Sequence, residues 1–532
     1  MGRMAHSSTY QLFNRNLTHP LSVYQDIFEH NWFLKLTFLA VVLSFLYLLY
    51  PNNEGSSQSL PVANRLFSFE PRLFSRIRWA IKSKQILDNA HNKFKGLPYL
   101  LDRGDADIVI LPSHFLPELN RLSIDMMNSR EFHSFTLLGH LTGLDVVRKT
   151  SYHVKILLSR ISPALPELLR PAAQRISASV ERTFPRDTEN WASVEPLDLV
   201  VRCVSEIVAL ALYGPPACDD PWLVRFCSEH TKNLFTIVFI MRWVPPFLQP
   251  ALVWLLPAKW RLDSGWKALE KSIVPLVNRK KEELEVHTRA TSPDLISWMV
   301  KDGKSTLERD PYMLTRLAGT LTAGGTYSTA NFVVGVLSDL VANPHLLEEI
   351  REEIREVHEK ASGNWDSAAF NNLEKLDSVM KETSRLNPSS WLSYGRVMDN
   401  DYTLSNGLTL HKNQVIAIVS HIRSMDPDRF KDPQTFKGLR FYEEDLQHHR
   451  AQPFRSLDSE IMTWGSGRWA CPGRFFANTV SKIILVKLLN EYDFKFVDGK
   501  RPPNAMMHEF VLFYPYNKLL VRRRAQSLNI EF

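Results

Sequence analysis

Apolar residues are most continuous near the start of the chain, where residues 32–50 read WFLKLTFLAVVLSFLYLLY with Lys35 as the single charge. As a helix this run rises about 28 Å, enough to cross the hydrocarbon core of a bilayer. Pro51-Asn52-Asn53 follows it in place of a small-residue cleavage site, so the pattern predicts an uncleaved transmembrane anchor. Residues 51–64, PNNEGSSQSLPVAN, are polar and turn-rich and read as a linker to a body spanning 65–532. Arg65, Arg72, Arg76, Arg78, Lys82 and Lys84 outnumber Arg3 and Arg15 across the anchor. The positive-inside tendency then places the body in the cytosol and residues 1–31 in the lumen. The sequon Asn16-Leu17-Thr18 is a candidate glycosylation site on that lumenal side.

From Pro61 to Leu386 apolar positions recur mostly at helical spacing, whereas short strands are predicted after Pro388. The clearest strand signal is YTLSNGLTL, a hairpin turning at Asn406-Gly407. The expectation is a mainly α fold with a small β part. Phe235 to Leu256 is apolar but carries Pro245, Pro246 and Pro250. It is therefore either buried core or two helices whose joining loop dips into a membrane surface. A long helix is predicted from Asp310 to Asn343-Pro344, with Gly324-Gly325 followed by Thr326, Tyr327, Ser328 and Thr329 at its centre. Two mid-helix glycines cost on the order of 2 kcal/mol relative to alanine. Tight helix packing explains them, and so does a groove where a ligand meets the backbone beside proton-passing hydroxyls.

Composition narrows the function classes. The 64 basic and 57 acidic residues are interleaved, and no basic cluster gives a nucleic-acid footprint despite a net charge of +7. Cys203, Cys218, Cys227 and Cys471 are too few for a disulfide framework in 532 residues. Glu382 and Arg385 in VMKETSRLNP lie one helical turn apart and form either an exposed pair or a partly buried one needing a third partner. Arg440, in DPQTFKGLRF, is a candidate for that partner.

Cys471 stands alone in TWGSGRWACPGRFFA, residues 463–477. Zinc needs three further ligands at finger spacing, and a nucleophilic cysteine needs a histidine base. Gly465 to Ala470 match the dinucleotide fingerprint G-x-G-x-x-A, with Glu491 about twenty residues on, but no buried strand precedes them and Pro472 follows. A structural buried cysteine is the remaining bland alternative. An iron-thiolate site accounts for more of the stretch. Gly465 and Gly467 let a loop pass close under a flat cofactor, and a helix from about Pro472 turns its positive end to the sulfur. Arg468 or the Trp469 indole N–H can meet a haem propionate, while Trp464 shields the sulfur. One thiolate leaves the opposite iron face open, which suits dioxygen.

With these stretches in order, the chain resembles the cytochrome P450 family, and specifically a membrane-anchored microsomal type of fungal secondary metabolism. The family pattern Phe-x-x-Gly-x-Arg/His-x-Cys-x-Gly is met by Trp464, Gly467, Trp469, Cys471 and Gly473, with departures at Trp464 and Trp469. The resemblance implies Cys471 as axial ligand of haem b. It also implies Arg396 as a propionate arginine, and Glu382, Arg385 and Arg440 as a structural triad under the haem. The family's Trp-x-x-x-Arg is absent from SYHVKILLSRISPAL, where His153 or Lys155 substitutes. Against the family's Ala/Gly-Gly-x-Asp/Glu-Thr-Thr/Ser, Tyr327 replaces the acid and Ser328 the threonine, leaving Ser328 and Thr329 as the proton-relaying pair. A slip of one residue would make Tyr327 the counterpart.

The resemblance implies a haem-dependent monooxygenase acting on an apolar secondary metabolite (terpenoid, polyketide or alkaloid). Electrons come from NADPH through NADPH-cytochrome P450 reductase, with cytochrome b5 as an accessory partner, at the endoplasmic reticulum membrane. Pocket positions implied by the family are Phe235 to Phe239, Ala323, Trp391 to Ser393 and Phe513. Arg468 and Arg474 belong to a basic face for the reductase. Tyr327 keeps open a haem-thiolate isomerase or dehydratase that uses no dioxygen, and the glycine fingerprint keeps open a dinucleotide-binding oxidoreductase.

Overall fold

The computed structural model describes residues 60–67, 70–286, 292–513, 516–530 and 532. The predicted anchor at 32–50, the segment 1–31 and Asn16 lie outside the described residues. Among those described, no single helix is long and apolar enough to cross a membrane.

The strands are β1 (Val62–Ala63), β2 (Tyr99–Asp102), β3 (Asp107–Ile110), β4 (Met127–Asn128), β5 (Ala192–Val194), β6 (Leu392–Met398), β7 (Tyr402–Thr403), β8 (Thr409–Leu410), β9 (Val415–Val419), β10 (Tyr492–Phe496), β11 (Ala505–Met507), β12 (Phe510–Leu512) and β13 (Leu519–Arg523). The largest sheet has the order β1-β2-β3-β9-β6-β4. Five strands therefore precede Leu386, where mostly helices were expected. Each has two to four residues, too short to show a period of two. β3 and β4 also depend on partners about three hundred residues away, with Ile108 opposite Val415 and Met127 opposite Met398. β1 lies inside the segment read as linker, because Val62 and Ala63 pair with Leu100 and Leu101. The hairpin at Asn406-Gly407 forms as expected, with Tyr402 opposite Leu410 and Gly407 at φ +86°.

The helices that build the site, numbered in chain order, are α1 (Arg72–Phe94), α2 (Leu116–Arg121), α3 (Ser129–Thr136), α4 (Tyr152–Ile156), α5 (Pro196–Tyr213), α6 (Pro221–Met241), α7 (Pro257–Val286), α8 (Pro311–Val341), α9 (Glu374–Leu386), α10 (Arg440–Gln447) and α11 (Arg474–Glu491). α8 is the central one. Asp310 caps it by accepting the N–H groups of Tyr312 and Met313, and Pro311 takes its first position. It packs among α5, α6, α7 and α11. The mainly α architecture with a small β part is as expected.

Phe235 to Leu256 divides into a buried part and an exposed part. Leu234, Ile237, Val238 and Met241 of α6 are buried core, whereas Phe247, Trp254 and Leu255 beyond it are 47%, 51% and 74% exposed. The end of α6 is tied down by a buried charge network. Arg242 donates to both Glu509 oxygens at 3.0 Å and to Asp105 at 3.0 Å, and Arg103 bridges the same two carboxylates. Two positive and two negative groups cancel there, which a buried cluster needs in order not to cost stability.

Candidate active site

The Cys471 loop is shaped by glycine and by its contact with α2. Gly465 and Gly467 sit at φ +75° and +63°, and a short 3-10 turn spans Gly467–Trp469. The Cys471 N–H donates to Trp464 O at 2.7 Å, closing the loop. Asn120 Nδ2 donates to Ser466 Oγ at 2.9 Å, and Tyr394 OH donates to Asn120 Oδ1 at 2.9 Å. Sequence reading missed Asn120 and Tyr394, because neither carries a motif and Asn120 stands 346 residues from Ser466 and 274 from Tyr394.

Cys471 is half-buried, whereas Cys203, Cys218 and Cys227 are fully buried. Burial pushes the thiols of Cys203 and Cys218 up to about 12 and about 11, and that of Cys227 higher still. Burial also raises the Cys471 thiol. It is opposed by the backbone N–H groups of Gly473 and Arg474, which donate to the sulfur, and by the Arg474 guanidinium. The positive end of α11 is thus aimed at Sγ as expected, and an alanine Cβ at position 473 would lie 3.9 Å from it. Among the described residues no histidine acts on the sulfur, which leaves a cysteine-nucleophile reading without a base there. Among the described residues no group of three or more His, Cys, Asp or Glu converges on a point that would hold a metal ion.

Across from this loop, α8 runs unbroken through Gly324-Gly325. A Cβ on Gly324 would meet nothing within 4 Å, and one on Gly325 only Val208 at 3.9 Å. Tight packing therefore does not account for the pair, and the open-groove explanation does. Ser328 and Thr329 line a partly open cavity of about 100 Å³, together with Phe332, Phe454, Thr463, Trp464, Ala477 and Phe513. The hydroxyls of α8 and the residues leading into Cys471 thus share one space. Ser328 Oγ donates to Gly324 O at 2.7 Å, one turn back on the open face. Tyr327 points elsewhere. It packs against the core, where burial raises its hydroxyl to about 12, helped by the charges of Asp198 on α5 and Glu229 on α6.

Trp464 is anchored by its Nε1, which donates to Phe454 O at 2.6 Å, and by a tilted ring contact with Phe454 at 4.9 Å between centroids. Phe235 and Phe239 pack on Phe510, and Ala323 is buried on α8. Trp391 does not belong to the pocket. It is packed in the core between the sheet and α1, against His421, because β6 turns that end of the strand toward α1.

The triad closes as the resemblance implied. Arg385 is bidentate to Glu382 at 2.8 Å and 2.8 Å, both fully buried, and Arg440 Nε reaches the same carboxylate at 3.2 Å. Arg385 also donates to Ser424 O and Pro433 O, and Arg440 to Lys431 O. Every charge is hydrogen-bonded, which is what makes full burial tolerable. Arg440 lies at the start of α10 rather than within a loop.

On the remaining side Arg396 is 3% exposed, its Nε has no partner, and NH1 donates only to Gly395 O at 2.6 Å. Its guanidinium lies 4.2 Å from the Tyr394 ring centroid and 5.6 Å from that of Trp469. Burial lowers its pKa to about 10. His153, on α4, is buried with Nδ1 unpartnered and is pushed down to about 4 by burial and by the charge of Arg130. Arg468 is exposed. A buried guanidinium with no counter-charge and an unpartnered Nε beside the Cys471 loop, an open glycine face opposite and a half-buried cysteine with two N–H donors together fit haem.

The fold and this site define a haem-thiolate oxidoreductase. The chain belongs to the cytochrome P450 family, whose model matches residues 153–521. It is 29% identical to "Cytochrome P450 monooxygenase AN1598" of Emericella nidulans over 91% of each chain. It is 30% identical to the cytochrome P450 monooxygenase terK of Tolypocladium album over 88% of this chain and 90% of that one. An ent-kaurene oxidase of Gibberella intermedia is 29% identical over 94% of each. The chain is a monooxygenase with haem b as cofactor, and the dinucleotide reading falls. The segment before Gly465 is turn rather than strand, and Glu491 is buried at the end of α11 in an ion pair with Lys487.

Proposed function

We propose that the protein oxidises an apolar secondary metabolite of the terpenoid, polyketide or alkaloid kind, drawing electrons from NADPH through a membrane reductase. The carrying observation is the shared cavity, in which Ser328 and Thr329 face the loop that leads into Cys471. Bound haem supplies the binding and reductive activation of dioxygen at a thiolate-ligated iron. The Gly473 and Arg474 N–H groups would stabilise Cys471 as the anion that holds the haem. Ser328 and Thr329 pass protons into the cavity, their hydroxyls being both donors and acceptors. Phe332, Phe454 and Phe513 exclude water and hold an apolar substrate.

Tyr327 faces α5 and α6 rather than the cavity, which favours the oxygen-using reaction over an isomerase or dehydratase built around a phenol. The relatives named for oxidation of ent-kaurene, a hydrocarbon, support an apolar substrate. The apolar run at 32–50 and the exposed Phe247, Trp254, Leu255 and Trp260 support attachment to the endoplasmic reticulum membrane with the body in the cytosol. Arg468 and Arg474 supply positive charge near the Cys471 loop for an acidic reductase face, with cytochrome b5 as a second donor. The test is to incubate microsomes carrying the protein and a reductase with labelled dioxygen, NADPH and a panel of such metabolites. A product heavier by one labelled oxygen, dependent on NADPH, is expected. Turnover that ignores both dioxygen and NADPH would overturn the proposal.

A further inference from the structure

The two-residue turn between β11 and β12, His508-Glu509, is 1% and 2% exposed, although hairpin tips ordinarily meet solvent. It is wedged between α1 and the end of α6. His508 N donates to Ala80 O at 3.0 Å, and His508 Nε2 donates to Phe239 O at 3.3 Å. The Glu509 carboxylate accepts from both terminal nitrogens of Arg242 at 3.0 Å, from Trp79 Nε1 at 3.2 Å and from Arg103 at 3.4 Å. Arg242 directly follows α6, so this one carboxylate ties the hairpin to the helix. Phe510, the next residue, packs on Phe235 at 5.8 Å and on Phe239 at 5.7 Å between ring centroids. β12 then runs along the cavity, which Val511, Leu512 and Phe513 line. Phe513 N donates to Asn331 Oδ1 on α8 at 2.5 Å. One short strand is thus held at its start by Arg242 and at its end by α8.

β11 and β12 form a sheet of two strands with three residues each, and such a hairpin is marginal without outside support. Backbone bonds from Trp391 N to Glu509 O and from Val511 N to Ser389 O support one side. On the α6 side the support is ionic. Buried ion pairs add little stability over apolar packing of the same volume, whereas a bidentate arginine–carboxylate pair fixes an orientation. The network therefore serves geometry, setting where β12 stands against α6. We propose that Arg242 and Glu509 form a clasp between α6 and β12, and that this clasp sets the bulk of the apolar substrate the cavity admits. This deepens the apolar-substrate reading and rests on it. Neither residue lines the cavity, so both are positioning residues. Asp105, at the turn between β2 and β3, steadies the Arg242 guanidinium from its other side at 3.0 Å.

The test measures azole binding to the membrane-bound holoprotein through the Soret shift that a nitrogen ligand gives, so it needs no substrate. The quantity read is the Kd for clotrimazole, a bulky azole, divided by the Kd for phenylimidazole, a small one. The double variant Arg242→Met with Glu509→Gln leaves Arg103 and Asp105 as a balanced pair. It should lower the ratio about tenfold, the low end of what one methylene-sized change in an apolar pocket is worth. Arg242→Lys keeps the charge, loses the planar fork, and should lower the ratio about threefold. Lys280→Met, as a control, breaks a buried pair with Asp294 on another part of the fold, and should lower Tm with the ratio unchanged. An unchanged ratio in the double variant, even with a lower Tm, would overturn the proposal, since the network would then serve the fold alone. If that variant does not accumulate, an unchanged ratio in Arg242→Lys would overturn it. A drop in Lys280→Met as large as in the double variant would overturn it too, because any loosening of the fold would then suffice. A wild type that binds imidazole but neither larger azole would instead overturn the apolar-substrate reading, a separate outcome.

Discussion

The carboxylate of Glu382 and the guanidinium of Arg440 stand 58 residues apart in the chain and meet at 3.2 Å in a buried site. Because Arg385 holds the other side of the same carboxylate, removing Glu382 leaves two guanidinium groups without their counter-charge. Glu382→Gln should destabilise the fold by about 3–5 kcal/mol. Little folded, haem-loaded protein should be recovered, as read from the Soret-to-protein absorbance ratio. By contrast, Arg355→Ala removes an exposed pair with Glu352 and should change stability by less than about 1 kcal/mol.

Ser328 and Thr329 line the cavity and Tyr327 does not. Ser328→Ala should leave NADPH oxidation running while product per NADPH falls roughly tenfold and hydrogen peroxide rises, as expected when one proton-donating hydroxyl is lost. Thr329→Ala should act in the same direction. Tyr327→Phe should leave the ratio of product to peroxide unchanged, and a large shift there would reassign the relay to the phenol.

Gly467 is confined twice, by φ +63° and by Asn120 Oδ1, which a Cβ would approach to 2.4 Å. Gly467→Ala should cost about 1–3 kcal/mol and lower haem occupancy. Adding Asn120→Ala should recover part of the loss, because it removes the clash and leaves the backbone strain. Thermal unfolding of the two single variants and the double variant measures that coupling.

His230 lies between Phe226 and Trp266 with neither ring nitrogen hydrogen-bonded. Burial pushes it down to about 3. The unfolded chain binds this proton near pH 6.5, so its contribution to stability is present above that pH and is lost as pH falls toward 3. His230→Phe should flatten the acid side of the Tm-against-pH curve by several degrees, the shift to about 3 being worth about 5 kcal/mol at most. Glu353 carries the opposite sign, since burial raises it to about 7. Its protonated form stabilises below about pH 4.5, and that gain is lost as pH rises through 7. An unchanged acid limb in His230→Phe would show that this histidine is already solvated.

The amino-acid pattern alone determined the mainly α class, the long helix with its two central glycines, the hairpin at Asn406-Gly407 and the single cysteine suited to iron. Each of these is a local signal, in which periodicity, turn chemistry or a ligand-bearing motif is complete within some thirty residues. The tertiary structure decided what depends on distant partners. It brought Arg440 to Glu382, turned Tyr327 away from the cavity and left Gly324 open. It also placed Asn120 on the cysteine loop and left Arg396 buried with its Nε unpartnered. Short strands such as Met127–Asn128 carry no period, and an unpartnered charge looks like any other charge in a sequence. Only burial, which the rest of the chain imposes, shows that such a group awaits a counter-ion.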